Sequence, residues 1–225
     1  MAKAATRAQN HATMDRIVDL AAVMLARNGY NGTSFLSLGK QLGIGHSNIH
    51  YYFKTKDDLV EYLLQLYTDQ ALAFFKVLWE DREIDLRNKL TRTRDWLRES
   101  FNRFSSGEGG GRIGFIGAMA SDAAHLSPKA RRILKDINVG LDDHIRTGID
   151  IAVQNGDLAP DAPREEIALQ ILWLLYSSRI IVRHGNRFEN LDRLFQWTME
   201  VIERAYGQPA RSAANRPART RAPQG

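Results

Sequence analysis

The sequence predicts an all-α chain of about nine helices, with a small three-helix head joined by one long helix to a larger helical body. Three observations predict it. Apolar residues recur at helical spacing from end to end, no stretch sustains the period-2 alternation of β-branched residues that strands require, and caps and glycines punctuate the helical runs. The opening helix runs from about Ala12 to Asn28, with Ile17, Ala21, Met24 and Leu25 on one face and Gly29 ending it. Thr33 or Ser34 caps a second helix that stops before Gly43, and the tight Gly43-Ile44-Gly45 turn leads into a third. Thr55-Lys56-Asp57-Asp58 is a capping box with Asp in place of Glu, and it opens the long helix through Leu59, Leu63, Leu66, Tyr67, Ala71, Phe74 and Leu78.

The body continues with a helix near Leu86 to Phe104, a flexible loop over residues 105–111, and a small-residue helix from Ile113 to Ala124. Ser127-Pro128 caps and starts the next, which runs to about Asn155 before Gly156. Residues 158–163 form a linker, and two final helices follow at about 164–184 and 188–206. The organisation is a head over 1–56, a body over 57–207, and a basic tail over 208–225 whose Pro, Gln, Ser and Arg content predicts disorder.

Composition removes several function classes. The 225 residues are 44% hydrophobic and 25% charged, enough for a real core. Apolar runs such as Ile171 to Tyr176 are far short of the ~20 residues that span a bilayer, and the N-terminus lacks an apolar secretion segment, so a soluble cytoplasmic protein is expected, with no membrane partner. The absence of cysteine removes disulfides, thiolate nucleophiles and Cys-ligated zinc. Charge is uneven: residues 1–56 carry seven Lys/Arg against two Asp, whereas 57–206 carry 20 basic against 24 acidic side chains. A cationic head on a mildly acidic body is the footprint of a domain that meets phosphate.

The run from Thr33 to Lys56 carries the most chemistry. Leu38 and Leu42 share one face of a short helix, Gly43 suits a left-handed turn, and Ile44 and Ile49 give the next helix its apolar side. His46, Ser47, Asn48, His50 and Tyr51 are left exposed and offer hydrogen bonds, Asn48 being able to pair bidentately with an adenine edge. This is the pattern of a DNA-binding helix-turn-helix over about 34–53. At the other end, Ile167 to Val182 is apolar on almost every side, and the last helix adds the narrower stripe of Leu191, Leu194 or Phe195, Thr198, Val201 or Ile202, and Ala205. Two such helices from each of two chains make a four-helix homodimer interface; the competing reading is the centre of a monomeric bundle.

The stretches Ile17-Val18-Asp19, Leu25 to Ser34, Leu42-Gly43-Ile44 and Asn48 to Leu59 resemble, almost position by position, the tetracycline-repressor-like (TetR) transcriptional regulators. The body resembles them in length and helix order. Departures are Gly39 where Ala is usual, Gly45 where Ser or Thr is usual, and His50 where the first Tyr of a Tyr-Tyr run is usual. The resemblance implies a homodimeric repressor of a palindromic operator, released by a small-molecule effector and working without a cofactor. It also implies that His46, Ser47 and Asn48 approach base edges, while Ser34, His50, Tyr51, Tyr52 and Lys56 hold phosphates; hydroxyls, Lys and helix N-termini suit that split.

An apolar effector cavity could draw on Trp79, Trp96, Phe101, Phe104, Phe115, Met119, Trp173 and Tyr176, with Asp122, His125 or Arg179 as polar handles. Two other classes compete. A metal-dependent helical-bundle enzyme would use Asp122, His125 and His144, but the two Glu-x-x-His motifs of a di-iron bundle are absent, as are a nucleophile elbow and a phosphate loop. No catalytic or metal-binding residue is therefore assigned. The third reading is a DNA-architectural module without a ligand.

Overall fold

The computed structural model describes residues 2–105, 114–185 and 188–208, with side chains for 11–104, 114–178 and 188–208. Within these residues the chain forms nine α-helices, and the one extended pairing is an isolated antiparallel bridge between Leu158 and Gly207. The head is α1 (Ala2–Asn28), α2 (Phe35–Leu42) and α3 (His46–Tyr52). The long connector is α4 (Lys56–Trp79), followed by α5 (Leu86–Ser105), α6 (Phe115–Ser121), α7 (Pro128–Asn155), α8 (Arg164–Gly185) and α9 (Glu189–Tyr206).

Helix starts are set locally by side-chain caps. Ser34 and Ser37 bond reciprocally across the first turn of α2, Thr55 and Asp58 do the same for α4, and Ser127 accepts the Ala130 N–H at the start of α7 with Pro128 behind it. Gly43 and Gly156 end α2 and α7 in the left-handed conformation. Two boundaries differ from expectation. α1 begins well before Ala12, because Ala, Lys, Arg and Gln favour helix without supplying the apolar period by which a helix is read. The segment expected as one helix from Ile113 to Ala124 is the seven-residue α6 followed by a 3-10 turn, Ala123–His125; Ile113 itself lies outside the described residues.

Most of the loop over 105–111 and the tail beyond Gln208 lie outside the described residues. Gln208, assigned to the tail by composition, donates its N–H to the Asp157 carbonyl at 3.3 Å and so belongs to the folded body.

Two apolar clusters form the interior. One holds α4 to the body, with Phe75, Trp79, Ile149, Ile171, Leu191 and Ile202 among its members. α4 and α7 approach closely there: a Cβ on Gly148 would lie 2.5 Å from the Trp79 ring and 2.9 Å from its carbonyl oxygen. Lys89, fully buried, closes the end of α4 by donating to the Trp79 and Asp81 carbonyls at 2.6 Å each. The other cluster crosses from head to body. Ile17, Leu25, Leu38, Ile49 and Leu63 pack in it together with Phe104, Phe115, Met119, Leu126 and Ile133. The head therefore shares its core with α5, α6 and α7.

α8 buries Ile167, Ile171, Leu172, Leu174 and Leu175, yet leaves Leu169 exposed and Trp173 69% exposed. α9 buries Leu191, Phe195, Thr198 and Ile202, and exposes Leu194 and Trp197. The apolar payload of the last two helices thus has an inner and an outer face. No helix among the described residues is long and apolar enough to cross a membrane.

Candidate functional site

The α2–α3 corner is built around close backbone contact. A Cβ on Gly39 would lie 2.8 Å from the Ile44 carbonyl oxygen, so the glycine lets the turn into α3 cross directly over α2. Ile44 N–H donates to Gly39 O at 3.0 Å, and Asn48 N–H to Gly45 O at 2.9 Å. Ile49, fully buried, anchors α3 from below. His46, Ser47 and Asn48 consequently stand exposed in a row at the N-terminus of α3, with Gly45 providing no side-chain cap to cover them. His50 is pinned: its Nδ1 is 3.1 Å from the Lys54 carbonyl, and its ring sits edge-on to Phe35 at 4.9 Å. Tyr51 is 69% exposed and meets Tyr52 edge-on, while Tyr52 is half-buried against the head core.

Ser34 is exposed but committed to capping, and its remaining capacity faces solvent. Lys56 is placed differently from expectation. Its ammonium donates to the Tyr30 and Thr33 carbonyls at 3.0 and 3.3 Å and stands 3.8 Å from the centre of the Tyr30 ring. Burial pushes its pKa down. Two of its three donors are thus spent fixing the loop that carries Ser34, whereas Lys40 and Lys54, beside the α2–α3 corner, are exposed and held by no ion pair among the described residues. Lys54 lies two residues beyond the last residue of α3, and a cation at that position was the signal that could have found it.

Tyr30 is a junction. Its N–H donates to Asp122 Oδ2 at 2.7 Å, and its hydroxyl donates to Asp57 Oδ1 at 2.5 Å. Burial, then the hydrogen bond to Asp57, pushes the phenol up to about 12. The folded-state value lies above the unfolded one near 10, so this contribution to stability is complete below pH ~10 and is lost as pH rises toward ~12. Tyr30→Phe lacks the titrating group; urea-melt stabilities of variant and parent are expected to converge across that window, and a constant difference would contradict the assignment.

A cavity of about 300 Å³ lies in the body between α4, α5, the start of α6, α7 and α8. Trp96, Phe104, Phe115 and Tyr176 line it as the sequence suggested, joined by Tyr67, Phe75, Ile137, Leu141 and Leu175. Trp96 stacks on Phe74 at 5.4 Å and meets Phe75 edge-on at 5.7 Å; Tyr67 lies 6.0 Å from Phe104 and 5.3 Å from Phe115. Among the described residues, charged side chains reach it only at Glu99 and Arg103, one turn apart on α5, and Arg103 is paired with Asp19 of α1 at 2.9 Å.

Other residues expected at the cavity lie elsewhere. Trp173 is on the outer face of α8, Met119 is fully buried in the head–body core, and Trp79 is fully buried with its indole N–H on Thr93 Oγ1 at 3.1 Å. Phe101 packs on the Phe188 ring at 5.5 Å, and Asp122 and His125 sit beyond the far end of α6. The Arg179 side chain lies outside the described residues. Asp122 is committed to Tyr30, and His144 is 2.7 Å from Glu80, so the residues a metal centre would need are dispersed; among the described residues no group of three or more acidic or His side chains is placed to hold a metal.

Residues 17–63 match the family model described as bacterial regulatory proteins, tetR family. That match spans the head and the start of α4. A curated relative in Bacillus subtilis (strain 168), the fatty acid metabolism regulator protein, is 32% identical over 66 residues, which are 29% of this chain; the chain spans 32% of that relative's length. Across the body the likeness is one of fold. A TetR-family transcriptional regulator from Agrobacterium tumefaciens superposes with a TM-score of 0.74 at 18% identity, covering 86% of this chain and 98% of that one. A transcriptional regulator from Saccharomonospora viridis, solved in complex with choline, superposes with a TM-score of 0.68 at 20% identity, over 88% and 100% of the two chains.

α6 has a particular position. Its first residues, Phe115 to Gly117, line the cavity, and Asp122, which follows its last residue, holds the head through Tyr30. Seven residues at 1.5 Å each make a rod only about 10 Å long. Gly29, with φ +73, makes room for this contact, since a Cβ there would lie 2.6 Å from Asp122 Oδ2.

Proposed function

We propose that the chain is a homodimeric transcriptional regulator, a cytoplasmic repressor that binds a palindromic operator and is released when a small molecule enters the body cavity. The observation that carries the reading is the row His46-Ser47-Asn48, exposed on an α3 whose opposite side, Ile49, is fully buried. Those three side chains read base edges, with Asn48 suited to adenine. Ser34, His50, Tyr51, Tyr52, Lys40 and Lys54 hold the backbone, and Lys56 serves it indirectly by fixing the Ser34 loop. In vitro selection of bound duplexes by the purified protein tests this: recovery of one palindromic sequence is expected, and recovery of unenriched DNA would sink it.

Dimerisation runs through the helices at about 164–184 and 188–206. Exposed Leu169 and Trp173 on α8 and exposed Leu194 and Trp197 on α9 support it, as does the shallow depression beside Trp197 lined by Asn190, Arg193 and Glu200. Tryptophans at the centre of such an interface commonly cost ≥ ~2 kcal/mol each when removed, and each occurs twice across a two-fold axis. Trp173→Glu with Trp197→Glu is expected to sediment as a monomer; an unchanged dimer mass would place the interface elsewhere.

Release works through the α6 rod in this reading. A ligand that repositions Phe115 and Gly117 moves Asp122, and with it Tyr30 and the loop into α2. A near-complete switch requires ~5.5 kcal/mol of differential effector binding between the two head positions. The choline bound to the Saccharomonospora relative supports small-molecule capture in this fold.

A further inference from the structure

We infer that the cavity takes a small, uncharged aromatic molecule carrying one or two neutral hydrogen-bonding groups. The inference rests on the effector reading above and narrows it to a ligand class. Size comes first: about 300 Å³ is the low end of the ~300–1,000 Å³ usual for ligand cavities, room for a bicyclic molecule.

The walls select for a flat π-system. Trp96 and Phe75 form one wall, edge to face, and Tyr67 with Phe104 and Phe115 forms another, with ring centres 5.3–6.0 Å apart. Such walls offer both faces and edges, and a ring inserted between them repeats the geometry the side chains already use.

Aromatic walls also suit cations, and here Arg103 decides against one. Its guanidinium already stands 5.6 Å from the Tyr67 centroid and 5.7 Å from that of Phe104, so those two rings are served by a resident positive charge that would repel another. An anion gains little from the same arginine, which is paired with Asp19 and has Glu99 one turn away on its own helix. Among the described lining residues no other side chain is charged. Glu99 holds no ion pair but is exposed at the rim, so a charged ligand would give up its hydration and meet no free partner among the described residues of the interior. Neutral partners are present: the Ser178 hydroxyl donates to Leu175 O at 2.5 Å, leaving its oxygen to accept, and the Asn138 and Gln70 amides stand at the exposed rim.

The test is calorimetric titration of the full-length protein with 2-naphthol and 2-acetylnaphthalene, against 2-naphthoate, choline and decanoate, at neutral pH. At least one of the two neutral probes is expected to bind about tenfold tighter than each of the other three. Ser100→Phe, which places a ring into the cavity from α5, is expected to abolish that binding; Trp96→Phe keeps the binding but loses the ligand-induced quenching of tryptophan fluorescence. Tighter binding of the carboxylate, the cation or the acyl chain, no saturable binding of either neutral probe, or binding indifferent to Ser100→Phe would each overturn the inference. The regulator reading is tested separately by release of a selected operator duplex. A charged probe that binds and releases DNA defeats the ligand class alone, whereas neutral probes that bind and leave DNA affinity untouched defeat the switch alone.

Discussion

Asn48→Ala is expected to weaken operator binding by about 1–3 kcal/mol per half-site, the value of one bidentate base contact. A two-fold complex is affected twice, so the total reaches a hundredfold or more for contacts in the middle of the range. Asn48 is exposed and its side chain makes no hydrogen bond among the described residues, while its backbone N–H is held by Gly45. The substitution therefore removes a contact to DNA and leaves the turn intact. Binding to unrelated duplexes is expected to be nearly unchanged, since that affinity comes from phosphate neutralisation. Lys54→Ala should do the reverse, weakening all duplexes alike and lowering the slope of log affinity against log salt by ~0.9 for each phosphate no longer neutralised. Titrations of a selected and a scrambled duplex at graded salt separate the two; equal weakening on both duplexes for Asn48→Ala would remove it from base readout.

The second large effect lies at the joint between head and body. Gly29→Ala places a side chain at φ +73, a left-handed conformation costing roughly 1–2 kcal/mol, and drives its Cβ to 2.6 Å from Asp122 Oδ2. Asp122→Ala removes a charged acceptor from the Tyr30 N–H, a loss of about 1.5–3 kcal/mol. The two costs are coupled, because the alanine at position 29 displaces the same carboxylate that the other substitution deletes. The double variant is expected to be less destabilised in urea melts than the sum of the singles. Strict additivity would mean that the Gly29 conformation, and not the contact to Asp122, sets the cost.

The head was legible because its determinants act over short distances. A cap reaches three residues, as from Ser34 to Ser37 and Thr55 to Asp58, and Gly43 ends α2 with its own backbone. The exposed face of α3 follows from one buried residue, Ile49, once the helix is placed. The cavity is another matter, since its walls come from five helices. An aromatic residue on a helix apolar all round does not declare which side meets the core, which is why Trp173 and Tyr176, three positions apart on α8, end on the surface and in the cavity wall. Lys56 has contacts that were hidden for a related reason. The carbonyls it serves belong to Tyr30 and Thr33, 26 and 23 residues earlier, and nothing local advertises them. The Asp122–Tyr30 contact joins residues 92 apart and had no sequence signal beyond a glycine after α1.

In the proposed function this chain reads DNA as a two-fold pair of exposed α3 helices whose setting the body controls. Footprinting and stoichiometry on the duplex recovered by selection test it most directly. Two chains per duplex are predicted, protecting two inverted half-sites whose centres are ~34 Å apart along one face of the DNA, with both protections abolished in Asn48→Ala. One chain per duplex, or a protection without two-fold symmetry that Asn48→Ala leaves in place, would contradict it.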